Sequence, residues 1–437
     1  MFNYYFRLAL RSLRRNVVLT ALMVAVIGAG IGASMTVLTI YRAMDGDPIP
    51  QKSDRLFVPQ IDNWGPDMEE RPANSDELPE QLSYTDATAL IAAHAGRQTA
   101  MYSTVSALTP PNPRLLPFTV HVRATYADFF AMFQVPFKYG GAWNTADDHS
   151  HSAVAVITRE LNDKVFGGAN SVGRTLHLGG DDYRVTGVLD DWKPTPRFYD
   201  LADNRFGKTE DVLLPFTRAI DKQMTVWGND FCNGDVGTGW AGYLRSNCIW
   251  IQFWVELPNA SEAASYRAFL NSYAAEQRRN GRFHWAPRTQ LRNERQWLSY
   301  EQVVPPPVHV MAIVSFSFLF VCLVNAMGLM LAKMLGRAAD IGVRRALGAT
   351  RRAILAQCLI ESGVIGIAGG LVGLLLTGLG LFGVRSLFTQ QFIDVAHLDL
   401  PDLSICMLLA VVSAIIAGLY PTWRATQMQP ALQLKAL

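Results

Sequence analysis

Acidic residues are scarce outside one continuous stretch of this 437-residue chain. Residues 42–307 carry 32 acidic and 26 basic residues, a net charge of −6, whereas the remainder holds 5 acidic and 13 basic residues, a net charge of +8. That division excludes a single soluble domain and a nucleic-acid binder with a continuous basic face, and the 50% apolar content excludes disorder. Catalytic signatures are missing too. There is no HExxH, no CxxC pair and no recognisable catalytic set, so nothing recommends an enzyme. Cysteine is sparse, with five residues in all.

Charge disappears completely from four runs. They are Val17–Ile40, Val308–Leu331, Ser362–Val384 and Leu403–Tyr420, of 24, 24, 23 and 18 residues; the third helix is expected to begin earlier, near Ala353. A helix of the longest runs reaches ~36 Å, enough to cross a hydrocarbon layer ~30 Å thick. The chain therefore reads as an α-helical membrane protein with four transmembrane helices. The first run is too long for the ~7–15-residue apolar core of a cleaved signal peptide, so it reads as a retained anchor. Basic flanks set the direction. Arg7, Arg11, Arg14 and Arg15 precede the first run, and six Lys and Arg against Asp340 alone separate the second from the third. By the positive-inside rule both termini are cytoplasmic, and residues 43–307 lie outside, inserted between helices 1 and 2.

The inserted region is long enough for one large domain or two smaller ones, and it holds nine of the ten Trp. Strands read at Thr119–Ala124, Ala153–Thr158, Thr175–Leu178, Tyr183–Leu189 and Ile249–Leu257. Helices read at Tyr126–Phe133, at Arg159–Phe166, and from a cap at Ser261 to about Arg279, with Asn280-Gly281 as the stop signal. This predicts a large α+β domain, with the turn-rich stretch Pro194–Asn247 as a candidate second subdomain. Cys232 and Cys248 are the only exported cysteines. An oxidising compartment permits a disulfide there, worth on the order of 3 kcal/mol for a loop of that size; two buried free thiols are the alternative. Cys322, Cys358 and Cys406 fall in the spans and read as packing residues. Pro305-Pro306-Pro307 is either a stiff link into the second span or simply the end of the domain.

Three motifs invite chemistry and read better as structure. Gly168 to Thr175 has the spacing of a phosphate loop with Arg174 in place of Lys, but a strand follows where a helix is required. Ala169-Asn-Ser171-Val-Gly173 imitates a nucleophile elbow, yet it follows a helix instead of a strand. Asp147-Asp148-His149-Ser150-His151 offers metal-ligand types in a polar loop, and no metal site is expected. Glu361, the only charge within the third span's length, reads as an acid that snorkels or pairs near the cytoplasmic end. Glycine spacing says more. Gly28xxxGly32, Gly366xxxGly370 and Gly369xxxGly373 predict close helix packing, within the chain or between two copies.

The loop between the second and third spans runs from Lys333 to Arg352. Asp340 near its start and Arg residues toward its end suit the dipole of a short helix, and Val343 and Leu347 form an apolar ridge. It reads as an amphipathic helix against the membrane or as a docking knob for a cytoplasmic partner. The run Asp340-Ile-Gly-Val-Arg-Arg-Ala-Leu-Gly-Ala-Thr-Arg-Arg352, followed by the Gly-rich third span, closely resembles the signature of the MacB/FtsX-type ABC transporter permeases. Asp340 stands where that family typically has Glu. Asp128-Phe-Phe, Ala153–Thr158, Val165–Gly173 and Tyr183–Leu189 look like segments of the family's periplasmic core domain. The match follows the family order along nearly the whole chain.

The resemblance implies an inner-membrane protein in three parts: an N-terminal arm and first helix over 1–42, a MacB-like periplasmic core domain over 43–307, and an FtsX-like membrane domain over 308–437. Sixteen residues precede the first span, so a separate cytoplasmic ABC ATPase subunit is expected. ATP and Mg would bind that partner, with no cofactor in this chain. Asp340, Ile341, Gly342, Arg344, Arg345, Leu347 and Gly348 are the expected docking surface, within the coupling loop 333–352. A second permease copy or paralogue, a periplasmic adaptor and an outer-membrane channel complete the implied assembly, which includes no nucleic acid. The implied function is mechanical work outside the membrane that drives export of a peptide, lipid-linked or drug-like substrate. An FtsX-like scaffold regulating a cell-wall hydrolase is the other reading, and the large exported region resembles the transporter domain instead.

Overall fold

The computed structural model describes residues 16–63, 77–203, 205–232, 234–283, 285–337, 343–344, 347–387 and 400–427. The chain divides into two units, one of Met1–Asp45 with Val304–Leu437 and one of Gly46–Val303. In chain order the elements are α1 (Val17–Met44), β1 (Leu56–Ile61), β2 (Leu82–Ser83), α2 (Tyr84–Ala92), β3 (Arg97–Thr109), β4 (Phe118–Thr125), α3 (Asp128–Met132), β5 (Phe137–Gly140), α4 (Thr145–His149), β6 (Val154–Ile157), α5 (Arg159–Phe166), β7 (Thr175–Leu178), β8 (Asp181–Leu189), β9 (Val212–Pro215), α6 (Phe216–Asp221), α7 (Gly239–Arg245), β10 (Ile249–Glu256), α8 (Ala260–Arg279), β11 (Thr289–Asn293), α9 (Glu294–Tyr300), α10 (Pro306–Leu335), α11 (Arg351–Leu387) and α12 (Leu400–Gln427).

The Gly46–Val303 unit is built on a mixed sheet in the order β11-β1-β10-β3-β4-β9-β6-β8-β5, with β2 and β7 off this path. β4 with β9 and β6 with β8 are parallel pairs. β10 lies third in this path, and its Ile-Trp-Ile-Gln-Phe-Trp-Val run is buried on both faces, as a central strand requires. Local signals place the helices. Thr158 caps α5 by accepting from Leu161 N, and Gly167 ends it at φ +71°. Asn259, not Ser261, caps α8 by accepting from Glu262 N. The Asn259 carbonyl oxygen reaches the free amide of Glu262, and Ser261 is already inside the helix.

Two apolar cores lie side by side against one face of β3 and β4, which Ala100, Tyr102 and Ala124 of one share with Leu108, Val120 and Val122 of the other. One gathers Leu90, Tyr102, Phe216, Trp250, Phe253, Tyr266 and Leu270 under α2, α6 and α8. The other gathers Val120, Val122, Ile157, Leu161, Tyr183, Val185 and Leu214 under α5. Trp143, Trp250, Trp254 and Trp297 are buried, while Trp227 is exposed. The 194–247 stretch is not a separate subdomain. β9 within it joins the main sheet, pairing parallel with β4 at Val122↔Val212 and antiparallel with β6. Cys232 and Cys248 are joined in a disulfide with a Cα–Cα distance of 4.0 Å.

A buried ion cluster pins the same stretch. Arg123 of β4 pairs with Asp200 and Glu210 and is fully buried, as is Asp200. Arg197 donates to Asp200 Oδ2 at 2.7 Å and lies 3.3 Å from Glu210 Oε1. Gln252 of β10 donates to Asp200 Oδ1 at 3.0 Å, and the Tyr199 hydroxyl donates to Glu210 Oε2 at 3.2 Å. Two cations meet two anions, so no net charge is buried. Burial alone would raise the Glu210 carboxyl, but Arg123 and Arg197 outweigh it and hold it at about 2.

Carboxyls at the two ends of α9 shift upward, opposite to Glu210. Burial, with Asp47 and Asp54 nearby, pushes Glu294 from the ordinary 4.5 up to about 8 against the opposing Arg295. Burial and the neighbouring Glu80 raise Glu301 against Arg205. The folded domain therefore holds protons that the unfolded chain releases. This contribution is complete below pH 4.5 and is lost as pH rises through 8. Melts of the full chain followed by Trp fluorescence should show stability falling by roughly 3 kcal/mol or more between these limits. Glu294→Gln should flatten the profile.

The other unit is four long helices: α1, α10, α11 and α12. Each is long and apolar enough to cross a membrane. Their shared core holds Met23, Ile27, Ile31, Met35, Leu319, Ala326, Ile365, Ala410 and Ala414. Phe320, Leu375, Leu379, Phe382 and Leu408 face outward, the all-round apolarity that a lipid solvent demands.

Candidate functional site

The glycines of the third span bring three helices to backbone distance. A Cβ on Gly28 would stand 2.7 Å from Val372 and 3.2 Å from the Gly369 carbonyl; one on Gly32 would stand 2.6 Å from Leu376 and 3.3 Å from the Gly373 carbonyl. From the other side, a Cβ on Gly369 or Gly373 would stand 2.8 or 2.9 Å from Ile27 or Ile31. One on Gly366 or Gly370 would stand 2.8 or 2.9 Å from Ala414 or Ala410 of α12. α11 thus packs on α1 with one pair of glycines and on α12 with the other, and all six lie inside the bundle of a single chain. A Cβ on Gly30, which follows no GxxxG pattern, would stand 2.9 Å from Cys322 of α10. Hydrogen bonds cross the same seams: Ser34 Oγ donates to Ser315 O at 2.9 Å and Thr377 Oγ1 to Gly32 O at 3.4 Å.

Beyond these seams lies a charged group that apolar periodicity cannot reveal. Glu361 of α11 is 1% exposed and Lys333 of α10 is fully buried, and the two form an ion pair through Glu361 Oε1. Arg337 Nη1 is 3.5 Å from Glu361 Oε2. Lys333 reads in the sequence as one more positive-inside residue. Its spacing from Glu361 carries no helical period, because the two sit on different helices.

The coupling loop follows. Val343 and Arg344 are helical, Leu347 N donates to Val343 O at 3.0 Å, and Ala349 N to Arg344 O at 3.0 Å. Gly348 adopts φ +98°, a conformation only glycine takes without strain, and so ends this turn. Thr350 Oγ1 accepts from Ala353 N at 3.2 Å at the start of α11. Arg344 donates to Gln357 Oε1 at 3.1 Å. Leu347 is 83% exposed and Val343 is half exposed, an apolar ridge facing outward. Of the expected docking residues, Arg344, Leu347 and Gly348 are therefore on one turn. Asp340, Ile341, Gly342 and Arg345 lie outside the described residues.

In the exported unit the tempting motifs are structural. Asp147 completes a capping box with Asn144. Asp148 accepts from Trp143 Nε1 at 2.8 Å and Ala127 N at 2.9 Å, and burial raises its carboxyl to about 6. His151 faces Asp221. Among the described residues no group of three or more His, Cys, Asp or Glu could hold a metal ion. Within 168–175, Ser171 donates to Asn162 at 2.6 Å and Gly173 N to Val185 O at 2.8 Å, so the segment is a turn tied to α5 and β8.

Comparison with known families fits both units. The MacB-like periplasmic core domain matches residues 20–268, and the FtsX-like permease C-terminal matches residues 312–430. The chain belongs to the MacB/FtsX-type ABC transporter permeases. Among curated relatives of this permease family, the macrolide export ATP-binding/permease protein MacB of Pasteurella multocida is 23% identical over 70% of this chain and 42% of its own length. The pyoverdine export ATP-binding/permease protein PvdT of Pseudomonas entomophila is 26% identical over 70% and 41%. The chain spans about two fifths of the length of these relatives. The periplasmic region of MacB from Actinobacillus actinomycetemcomitans aligns with 56% of this chain and 92% of that one, at 15% identity and a TM-score of 0.36. The extracellular domain of the transporter YknZ aligns with 54% and 99%, at 15% identity and a TM-score of 0.33. Four apolar helices together with a MacB-like periplasmic domain mark this permease as an inner-membrane protein with a periplasmic segment.

Proposed function

We propose that this permease couples ATP hydrolysis in a cytoplasmic ABC ATPase to movement of its periplasmic domain, and so drives export. Both termini are cytoplasmic in this reading. The ATPase binds ATP and Mg and docks on the loop between α10 and α11. The observation that carries the proposal is the outward ridge of Val343 and Leu347 on a loop stopped by Gly348, within an FtsX-like membrane unit. An exposed leucine on a rigid turn is a poor solvent residue and a good anchor for a partner groove. The export named in the relatives' titles supports the direction of transport; the cargo in this reading is a peptide, lipid-linked or drug-like molecule. A second permease chain, and a periplasmic adaptor with an outer-membrane channel, complete the machine.

Purification in mild detergent tests this. Wild-type chain should retain an ABC ATPase. Leu347→Asp with Arg344→Glu should reduce that retention about tenfold or more, the loss expected of a hot-spot anchor, while thermal stability is unchanged. Equal retention by the variant would overturn the docking assignment.

A further inference from the structure

The ion cluster of Lys333, Arg337 and Glu361 sits where the coupling loop joins the helix bundle. Lys333 and Arg337 are four residues apart and flank the end of α10 at Leu335. α11 starts at Arg351, ten residues before Glu361, so it extends ~15 Å beyond the ion pair before the loop begins. The loop therefore hangs from two arms that one charged contact ties together. Apolar and soft side chains surround it, Met330, Met334 and Cys358 among them, with Cys358 Sγ 3.8 Å from Met334 Sδ, beside the buried hydroxyls of Ser362 and Thr422. Stability alone does not call for ions in such a place, because well-packed apolar residues of similar volume do as well or better. An ion pair differs from an apolar contact in being directional. It sets one register between two helices, whereas methionine side chains pack acceptably in several.

We propose that Lys333, Arg337 and Glu361 form a fulcrum that locks the register of α10 against α11, so that a displacement at the coupling loop moves both helices as one body. These are positioning residues. The role in transmission rests on the docking reading above; the register lock does not. It adds to that reading a second point of contact, 6 to 18 residues of chain away from the ridge at Val343 and Leu347.

The test uses the full chain in lipid nanodiscs with spin labels at Leu335 and Arg352, one on each arm. The key variant is Lys333→Met with Glu361→Met, which removes the charges and keeps the volume. Its thermal stability should match wild type, while the distribution of distances between the labels broadens. With the co-purified ATPase bound, retention should be unchanged, and the nucleotide-dependent shift in that distance should fall about fivefold or more, the scale of an ordinary coupling energy. The charge swap Lys333→Glu with Glu361→Lys should restore a narrow distribution. A narrow wild-type distribution in the methionine variant overturns the fulcrum. The measurement without ATPase stands even where no ATPase is retained by the wild type, which would sink the docking reading alone. Glu361→Gln leaves Lys333 buried beside a neutral partner; should it fail to fold, the methionine pair still decides the question.

Discussion

Replacing Arg123 with methionine is expected to unfold the exported domain, through a loss of ~3–5 kcal/mol. The guanidinium is fully buried against Asp200 and Glu210. Without it, two carboxylates face Arg197 alone in a site closed to water. The Glu210 carboxyl, held at about 2 by both arginines, would then be drawn upward and compete for protons. The damage should spread, because the cluster ties β4, β10 and the 197–210 stretch together. Denaturant titration of the purified chain, read by Trp fluorescence, should show the loss as a lower midpoint. Arg97→Ala is the control: Arg97 and Asp128 are about half exposed, Glu256 keeps Lys52 as a partner at 2.7 Å, and the change should stay within ~0.5 kcal/mol. A cluster variant no worse than this control would mean that the buried charges contribute nothing.

Enlarging the glycine seam should be nearly as damaging to the membrane unit. Gly32→Leu places a side chain where Leu376 already stands at 2.6 Å and the Gly373 carbonyl at 3.3 Å. α1 and α11 must separate, and overpacking of this kind typically costs about 1–3 kcal/mol, here at the upper end because backbone lies on the far side. Gly378→Leu, on the facing helix α11 with nothing within 4 Å, should be tolerated. Thermal unfolding in detergent, followed by the loss of monodisperse protein, separates the two. Similar midpoints for both variants would refute the packing argument.

The membrane helices were plain in the sequence because one physical demand, the exclusion of charge, acts on every residue of a span. Their boundaries were less so: the third helix, uncharged only from Ser362, runs back to Arg351 because its first turns still pack inward through Ile354 and Cys358. Short strands and helices of the exported unit were readable from alternation and caps, while the order β10-β3-β4-β9-β6 was not, since pairing between distant strands leaves no local mark. The Arg123 cluster escaped for the same reason. Its partners lie 77 and 87 residues along the chain, and each alone looks like a surface charge. Pro194–Asn247 looked separate because its turns dominate its composition; four residues of β9 were enough to draw it into the main sheet. Glu361 reads from the sequence as an acid that snorkels or pairs, and its cation Lys333 is hidden among residues that the positive-inside rule already explains. The glycine spacing showed close packing without showing the partner, which the side chains of Ile27, Ile31, Ala410 and Ala414 supply.

β1 and β11 lie side by side and antiparallel, Phe57 opposite Asn293 and Ile61 opposite Thr289. The exported unit opens with the segment from Gly46 into β1 and closes with α9 after β11, so both terminal segments depart from the same end of one strand pair. Arg295 lies 3.3 Å from Asp47, and Glu294 N donates to Ser53 O at 3.3 Å, which rivets the two connections beyond the last rung. A load that spread them would peel the ladder one rung at a time, like a zip opened from its base. A load carried by both together meets every rung at once and turns the strand pair into a single rod.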